Sequence, residues 1–322
     1  MTKRTIYLHV GHGKTGSSFL QSCFAMSEET LQAANIHYPD LTNSFAAARA
    51  GRITAGNIHS GKMPLGDAIE KLDRGLPEDQ AILFSHEELF AYMNGPAAKP
   101  ILERVAAKQY DLRVLCFVRN PLDHAVSLYQ QTVKRSGNFK TFAEFLDNYR
   151  VPQEVLRFVR TMSAAGVKTT IYNYSQHKEK LTNMLETWLG LSCDALKKPD
   201  KLVVNRSVTN GELAFQIEFN KFLGSRAASF ISDPLCNNLP DIKSENPAIT
   251  RKDLEAFLLQ MAEITKQTND VLPLSESYTV PDLEDAIAKF PDPKDPMLFS
   301  FTQDQLRVIA DRISRTLINL DQ

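Results

Sequence analysis

The chain has 322 residues, a formal net charge of −1 and 43% hydrophobic residues. This length and apolar fraction suit one large α/β domain with insertions, or two smaller domains. A net charge so close to zero provides no overall field toward nucleic acid or anionic membranes. We therefore expect no nucleic-acid partner, and any anion site must be built from a few placed cations.

The start of the chain leads directly into a predicted strand, which leaves no room for a signal peptide. No apolar run reaches the length that spans a membrane. The cysteines are scattered, without metal-ligand spacing, at Cys23, Cys116, Cys193 and Cys236. These features predict a reduced, cytoplasmic protein with no membrane span and no metal site.

The most informative stretch is TIYLHVGHGKTGSSFLQ, residues 5–21. Ile6, Leu8 and Val10 alternate along an apolar run, which predicts a strand. Glycines then break the pattern at Gly11, Gly13 and Gly16. Ser17 or Ser18 is predicted to cap the helix that follows. A strand, a glycine-rich turn and a helix N-terminus together predict an anion site, since backbone N–H groups and the helix dipole both favour an oxyanion.

This loop is not a Walker A loop, which needs a glycine, four residues and then Gly-Lys-Ser/Thr. Leu8 stands where the first glycine would precede Gly13-Lys14-Thr15. Lys14 still adds a point charge, and Thr15, Ser17 and Ser18 add hydroxyl groups. The loop is predicted to hold a phosphate, but the motif leaves the phosphate compound open.

Further along, strands and helices alternate. Strands are predicted over 81–85, 112–118 and 168–172, and helices over 65–72, 100–109, 121–129, 141–149, 153–165 and 176–189. The alternation predicts an α/β fold with three layers, P-loop-like, in which helices flank a central parallel sheet. Residues 1–322 are predicted to form a single domain with its nucleotide-binding core over 1–200. The excursion 37–80 and the largely helical part 201–322, with helices over 210–223, 251–268 and 302–320, are expected to form insertions on the acceptor side.

A second stretch, RNPLDHAVS over 119–127, follows the strand at 112–118. Arg119 stands at the end of that strand, and Ser127 lies about two helical turns further on. A guanidinium and a hydroxyl placed in this way suit a second phosphate. Ligands of parallel sheets bind at the carboxyl ends of the strands, so the segments after Val10, Ser85 and Val118 are expected to converge on one cleft.

These two stretches resemble motifs of the sulfotransferase family that uses 3′-phosphoadenosine 5′-phosphosulfate (PAPS). GHGKTGSSFLQ looks like the loop that binds the 5′-phosphosulfate, and RNPLDHAVSLYQQ looks like the 3′-phosphate motif. IYNYSQ, followed by a helix that ends in WLGLS, is similar to the segment whose tyrosine contacts the adenine. VNRSVTNGEL, around Asn205, looks like a segment of the bacterial glycan-type branch.

The resemblance implies a set of nucleotide contacts. They are Gly11, His12, Gly13, Lys14, Thr15, Gly16, Ser17, Ser18, Arg119, Ser127, Tyr174 and Arg206. It implies PAPS as co-substrate, 3′-phosphoadenosine 5′-phosphate as product, no metal, and an acceptor with a hydroxyl group, a carbohydrate in that branch. Lys14 would neutralise the charge that grows on the bridging oxygen as the bond to sulfur breaks.

The chain departs from the family at the catalytic base. The Lys-Thr-His stretch of the small-molecule branch is absent, and Ser85-His86-Glu87-Glu88 follows the corresponding strand. Either Glu87 or His86 would then deprotonate the acceptor hydroxyl. Two other functions stay open from the sequence: a P-loop nucleotide kinase or NTPase with an unusual loop, and a nucleotide-binding protein without catalysis.

Overall fold

The computed structural model describes residues 4–52, 54–58, 63–200, 206–293 and 298–320. By its internal contacts the chain divides into two compact units. Unit 1 comprises Met1–Asn120, Val151–Val203 and Ile264–Tyr278, and unit 2 comprises Pro121–Arg150, Val204–Glu263 and Thr279–Gln322. Residues 121–150 of the predicted core over 1–200 fall in unit 2, and residues 264–278 fall in unit 1. The division into a nucleotide-binding core and insertions stays a prediction.

Unit 1 is built on a parallel sheet of five strands. The strands are β1 (Thr5–Val10), β2 (Ile36–His37), β3 (Ala81–His86), β4 (Asp111–Val118) and β5 (Lys168–Asn173). They lie in the order β2-β3-β1-β4-β5, and each neighbouring pair is parallel. The predicted α/β fold with a central parallel sheet is confirmed. The sequence pattern misses β2, because a run of two residues carries no readable period.

Sixteen α-helices accompany the sheet in the part of the chain that the structure describes. In chain order they are α1 (Ser17–Met26), α2 (Glu28–Ala33), α3 (Phe45–Arg49), α4 (Leu65–Gly75), α5 (Leu89–Met93), α6 (Ala98–Ala107), α7 (Pro121–Ser136), α8 (Phe142–Leu146), α9 (Val151–Ala164), α10 (Tyr174–His177), α11 (Leu181–Leu189), α12 (Asn210–Leu223), α13 (Ser232–Asn238), α14 (Arg251–Asn269), α15 (Leu283–Ile287) and α16 (Gln303–Leu320). Two 3-10 helices cover Gly224–Ser229 and Leu274–Glu276.

Helices cover both faces of the sheet in unit 1, because alternate residues of each strand point to opposite faces. Ile6, Leu8 and Val10 of β1 belong to one apolar cluster, with side chains of α4, α6 and α9. Tyr7 belongs to a second cluster, with side chains of α1 and α11. The three predicted layers are therefore confirmed: helices, sheet, helices.

Unit 2 is helical in its described residues. Ile231, Leu235 and Ile309 form a small buried cluster against which other apolar side chains pack. Thr209 caps α12 with its hydroxyl, and Glu212 returns a bond to the Thr209 backbone, which completes a capping box. This arrangement satisfies two of the N–H groups that the first turn of a helix leaves unpaired.

Two local predictions are wrong. The residue that precedes α1 is Gly16, with a φ of 84° and no side-chain cap, whereas Ser17 is the first helical residue. The single helix predicted over 176–189 is two helices, α10 and α11. Asn173 caps α10 by accepting a bond from the Ser175 N–H group, so that helix begins earlier than its apolar pattern indicates. Gly190, with a φ of 73°, ends α11 as predicted.

All four cysteines are unpaired thiols. None of the helices in the described ranges is both long enough and apolar enough to cross a membrane.

Candidate functional site

The carboxyl ends of β3, β1 and β4 lie side by side in unit 1, and we call this line the carboxyl edge. The N–H group of Gly11, just after β1, donates to the carbonyl of His86 at the end of β3 over 3.0 Å. The Arg119 guanidinium, just after β4, donates from Nη1 to the Lys14 carbonyl over 3.0 Å. The three segments predicted to converge on one cleft therefore meet.

The loop between β1 and α1 has an unusual backbone. Lys14 has a φ of 65° and Gly16 a φ of 84°, both in the left-handed region. Glycine adopts this region without strain, but lysine does so at a cost of about 1–2 kcal/mol. The Thr15 hydroxyl donates to the His12 carbonyl and so fixes the turn. That proton is committed within the loop, so the Thr15 hydroxyl cannot donate it to a ligand at the same time.

Two of the loop glycines are required by close contacts. A Cβ atom at Gly11 would lie 2.7 Å from the Cα atom of Glu87. A Cβ atom at Gly16 would lie 3.0 Å from Cδ1 of Leu181 and 3.2 Å from Cε2 of Tyr174. At Gly13 a Cβ atom would meet nothing within 4 Å. Gly11 thus allows the loop to approach the candidate base, and Gly13 borders open space.

Ser17 provides the clearest sign of a ligand at this loop. Its side chain is buried, and its Oγ atom has no hydrogen-bond partner among the residues that the structure describes. Buried polar groups are almost always hydrogen-bonded, so this hydroxyl at the N-terminus of α1 lacks an acceptor, which an oxyanion would provide. Ser18 beside it is half-buried.

The loop histidine His12 faces inward. It is 3% exposed, and its ring lies edge-on to Phe90 with the centroids 4.8 Å apart. Burial lowers its pKa to about 4, although a backbone bond at Gly13 opposes this shift. The imidazole of His12 is therefore neutral near pH 7, and its contact with a ligand stays a prediction.

The segment after β3 carries the two candidate bases. Glu87 is exposed to solvent, yet desolvation by the surrounding protein raises the pKa of its carboxyl group. The nearby Lys14 charge lowers this pKa, and Glu88 raises it. His86 is buried, and its Nδ1 atom accepts a hydrogen bond from the Glu88 N–H group over 3.0 Å. The carboxylate is thus accessible, whereas one imidazole nitrogen is already occupied.

Arg119 and Tyr174 form the other end of the carboxyl edge. The Arg119 guanidinium lies over the Tyr174 ring, 5.4 Å from its centroid, and both residues are half-buried. The Tyr174 ring also approaches Gly16. The structure therefore brings Lys14, Arg119 and Tyr174 into one group, which can combine positive charge with a flat aromatic surface.

Two of the predicted nucleotide contacts lie in unit 2. Ser127 is half-buried on α7, and its role stays a prediction. The five N–H groups of the Arg206 guanidinium all have acceptors within unit 2: the Glu212 carboxylate and the carbonyls of Ser207, Leu235 and Leu239. This arginine is 7% exposed. In this arrangement Arg206 stabilises unit 2 and has no donor left for a ligand. Asn205, in the same predicted segment, lies outside the described residues.

Sequence reasoning misses the polar residues that hold the Glu87 backbone. Gln21 on α1, Thr54 and Asn57 are buried. Gln21 and Thr54 link α1 to the excursion after β2, and Asn57 links the excursion to the end of β3. The excursion is polar and rich in glycine, which is typical of a surface loop. Nothing in its composition indicates this role.

In the described part of the chain, no group of three or more His, Cys, Asp or Glu side chains could hold a metal ion. No protein-family model matches the chain, and no curated protein matches it. Among solved structures, it is similar to mouse sulfotransferase SULT7A1 complexed with PAP, at 19% identity and a TM-score of 0.34. That likeness covers 60% of this chain and 60% of the mouse chain, less than two thirds of its length.

Proposed function

We propose that this chain is a sulfotransferase that transfers a sulfuryl group from PAPS to an acceptor hydroxyl. The observation that carries the proposal is the gathering of Lys14, Glu87, Arg119 and Tyr174 at one edge of the sheet. Cations for phosphates, an aromatic surface for a base and a carboxylate facing the loop are the groups that this reaction needs. Their order along the chain matches the motifs that resemble the family.

The residues of the loop fit the 5′ end of such a nucleotide. The Ser17 hydroxyl lacks a partner among the described residues, and Lys14 lies three residues before it in the same loop. PAPS, when bound, supplies the activated sulfuryl group, and its leaving group is 3′-phosphoadenosine 5′-phosphate. Lys14 then stabilises the negative charge that develops on the phosphate oxygen of the leaving group. Arg119 is assigned to the 3′ phosphate, together with Ser127 by resemblance, and Tyr174 to the adenine.

Glu87 is favoured over His86 as the base. Because the Glu88 N–H group donates to Nδ1 of His86, that nitrogen is the acceptor and the proton of the neutral ring sits on Nε2. Protonation of Nδ1 would break this bond, so His86 is poorly arranged to take a proton. Glu87 is accessible, and its raised pKa brings it closer to that of a base working near neutral pH.

A carbohydrate acceptor follows from the resemblance to the bacterial branch alone. A cytoplasmic location is consistent with four unpaired thiols, because oxidising compartments favour disulfides.

Calorimetric titration tests the proposal by comparing 3′-phosphoadenosine 5′-phosphate with AMP, which lacks only the 3′ phosphate. We expect the 3′ phosphate to raise affinity, and Arg119→Ala to remove most of that gain, about 2–4 kcal/mol. Arg74→Ala is a matched control, since the Arg74 side chain is 81% exposed on α4. Its affinity should equal that of the unmodified chain.

The same titration contradicts the proposal if the 3′ phosphate brings no gain. Tight binding of ATP with magnesium, lost on adding EDTA, would point to a kinase or NTPase. A third outcome would indicate a binding protein without catalysis. In that case the chain binds 3′-phosphoadenosine 5′-phosphate but transfers no sulfuryl group from PAPS to any acceptor hydroxyl, and replacing Glu87 and His86 does not change the binding.

A further inference from the structure

The backbone of Glu87 is held by a segment of the long excursion, residues 54–57, which we call the brace. The Glu87 N–H group donates to the Ala55 carbonyl over 3.1 Å. The same carbonyl accepts a second bond, also of 3.1 Å, from the Nε2 atom of Gln21. One oxygen atom thus joins the candidate base to a side chain of α1.

Gln21 is placed to act through this oxygen. It is 1% exposed and lies one helical turn beyond Ser17, at the loop end of α1. Its Nε2 atom donates to Ala55, and its Oε1 atom accepts from the Thr54 hydroxyl over 2.9 Å. Both ends of the amide are therefore bonded to the brace, which fixes the amide orientation and locks the side-chain rotamer.

The brace is also tied to β3, so it cannot shift independently. Asn57 exchanges two bonds with the Ser85 backbone, over 3.0 Å from its own N–H group and 2.8 Å to its Oδ1 atom. Its Nδ2 atom donates to the Leu83 carbonyl over 3.0 Å. Gly56 has a φ of 132°, and a Cβ atom there would lie 2.0 Å from the Ser85 carbonyl oxygen. The position of the Ala55 carbonyl is thus set by β3 on one side and by Gln21 on the other.

We propose that Gln21 is a positioning residue that sets the place of Glu87 relative to the phosphate loop, through the Ala55 carbonyl. This inference rests on the proposed function, in which the loop holds the donor and Glu87 meets the acceptor. The distance between base and donor then depends on a bond made by the helix that begins at the loop. A misplacement of about 1 Å in such a geometry can cost about a hundredfold in rate.

The test compares three variants of the full chain. Thr54→Val removes the hydroxyl but keeps the bond between Gln21 and Ala55. Gln21→Met/Thr54→Val removes that bond as well, keeps a side chain of similar length, and leaves no hydroxyl unpaired. The difference between these two variants isolates the Gln21 bond to Ala55, and Gln21→Met alone checks that the result does not depend on the Thr54 background.

With PAPS as donor, we expect Gln21→Met/Thr54→Val to lower kcat about tenfold to a hundredfold relative to Thr54→Val, with KM for PAPS unchanged. The acidic limb of its kcat profile should also move, because the surroundings of the Glu87 carboxylate change. A merely structural role would lower the amount of folded protein without moving that limb. The positioning role would be overturned if Gln21→Met/Thr54→Val and Thr54→Val had the same kcat and the same acidic limb in the pH profile of kcat.

A second measurement needs no variant. Hydrogen exchange of the Glu87 amide in the unmodified chain should slow when 3′-phosphoadenosine 5′-phosphate binds, since the loop and α1 are linked to that amide. Exchange that slows in the loop but not at Glu87 would contradict the inference. A chain that never transfers a sulfuryl group contradicts the proposed function, whereas an active chain that tolerates Gln21→Met contradicts only the role of Gln21.

Discussion

Arg119 in unit 1 and Arg206 in unit 2 are both predicted from sequence as nucleotide contacts, and the structure gives them opposite surroundings. Arg119 is half-buried, donates one hydrogen bond to the loop and lies over an aromatic ring. Arg206 is 7% exposed, and every N–H group of its guanidinium donates a hydrogen bond to Glu212 or to one of three backbone carbonyls. The two guanidinium groups are chemically identical, so the difference lies entirely in the acceptors that the fold supplies.

This contrast shows why the two regions behave differently. Burial by itself would raise the pKa of Glu212, but hydrogen bonds from Arg206 and Gln305 hold it below its ordinary value. That pair is a stabilising unit with no donors left over. The carboxyl edge of unit 1 instead carries an unpartnered Ser17 hydroxyl and an exposed Glu87, in the described residues. Groups that are incompletely satisfied mark the place where a ligand contributes the missing bonds.

The largest expected effect is on stability, from Arg206→Ala. It leaves the Glu212 carboxylate, 0% exposed, without its cation, and we expect the free energy of unfolding to fall by about 3–5 kcal/mol. Urea denaturation measures this fall. Arg206→Met/Glu212→Leu removes both charges and should recover most of the loss. A stable Arg206→Ala chain that binds 3′-phosphoadenosine 5′-phosphate more weakly would restore Arg206 as a ligand contact.

Lys14→Gly should lower activity without lowering stability, unlike Arg206→Ala. It removes the loop charge, so we expect kcat for sulfuryl transfer to fall about a hundredfold to a thousandfold. It also removes the strain of a lysine at a φ of 65°, so stability should be unchanged or up to about 1 kcal/mol higher. Steady-state kinetics and urea denaturation together separate the two effects. Asn43→Gly, at an exposed residue with a φ of 56°, is the matched control and should keep full activity.

Acid should destabilise unit 1 through its buried histidines. His9 is 0% exposed, and burial lowers its pKa from 6.5 to about 4. Below pH 6.5 His9 therefore binds a proton in the unfolded chain but not in the folded chain, so the free energy of unfolding falls as the pH drops. For His9 alone the loss amounts to about 3 kcal/mol between pH 7 and pH 4.

His9→Phe/Ser85→Ala tests this assignment, because it removes the imidazole together with the hydroxyl that lies 2.8 Å from its Nδ1 atom. Urea denaturation at a series of pH values should give a flatter acid dependence for this variant. An unchanged slope would mean that His9 does not carry the effect.

The smallest effect concerns the candidate base. Glu88 raises the pKa of Glu87, so Glu88→Gln should move the acidic limb of the kcat profile to lower pH. Glu78→Gln, at an exposed residue before β3, is the control. A limb that moves to higher pH would contradict the assignment of Glu87 as the titrating base.

The fold could be predicted in large part from the sequence. Long apolar runs and glycine punctuation placed β1, β3, β4 and β5, because strands covered on both faces need continuous hydrophobic character. The glycine loop and its lysine were also predicted from the sequence, since three glycines between a strand and a helix interrupt both patterns. The boundaries of α10 were not, because its start depends on the Asn173 side chain, which accepts a bond from the backbone.

By itself, then, the sequence determined four of the five strands, the longer helices, the parallel sheet and the group of loops that meet at its carboxyl edge. Only the tertiary structure decided which polar residues are occupied by the protein. In the structure His12 is buried, and all five N–H groups of the Arg206 guanidinium donate to acceptors in unit 2. Gln21 donates to the Ala55 carbonyl, which also accepts a bond from the Glu87 N–H group. The reason is physical: residue type fixes which bonds a side chain can make, but the acceptors within reach are brought there by distant parts of the chain.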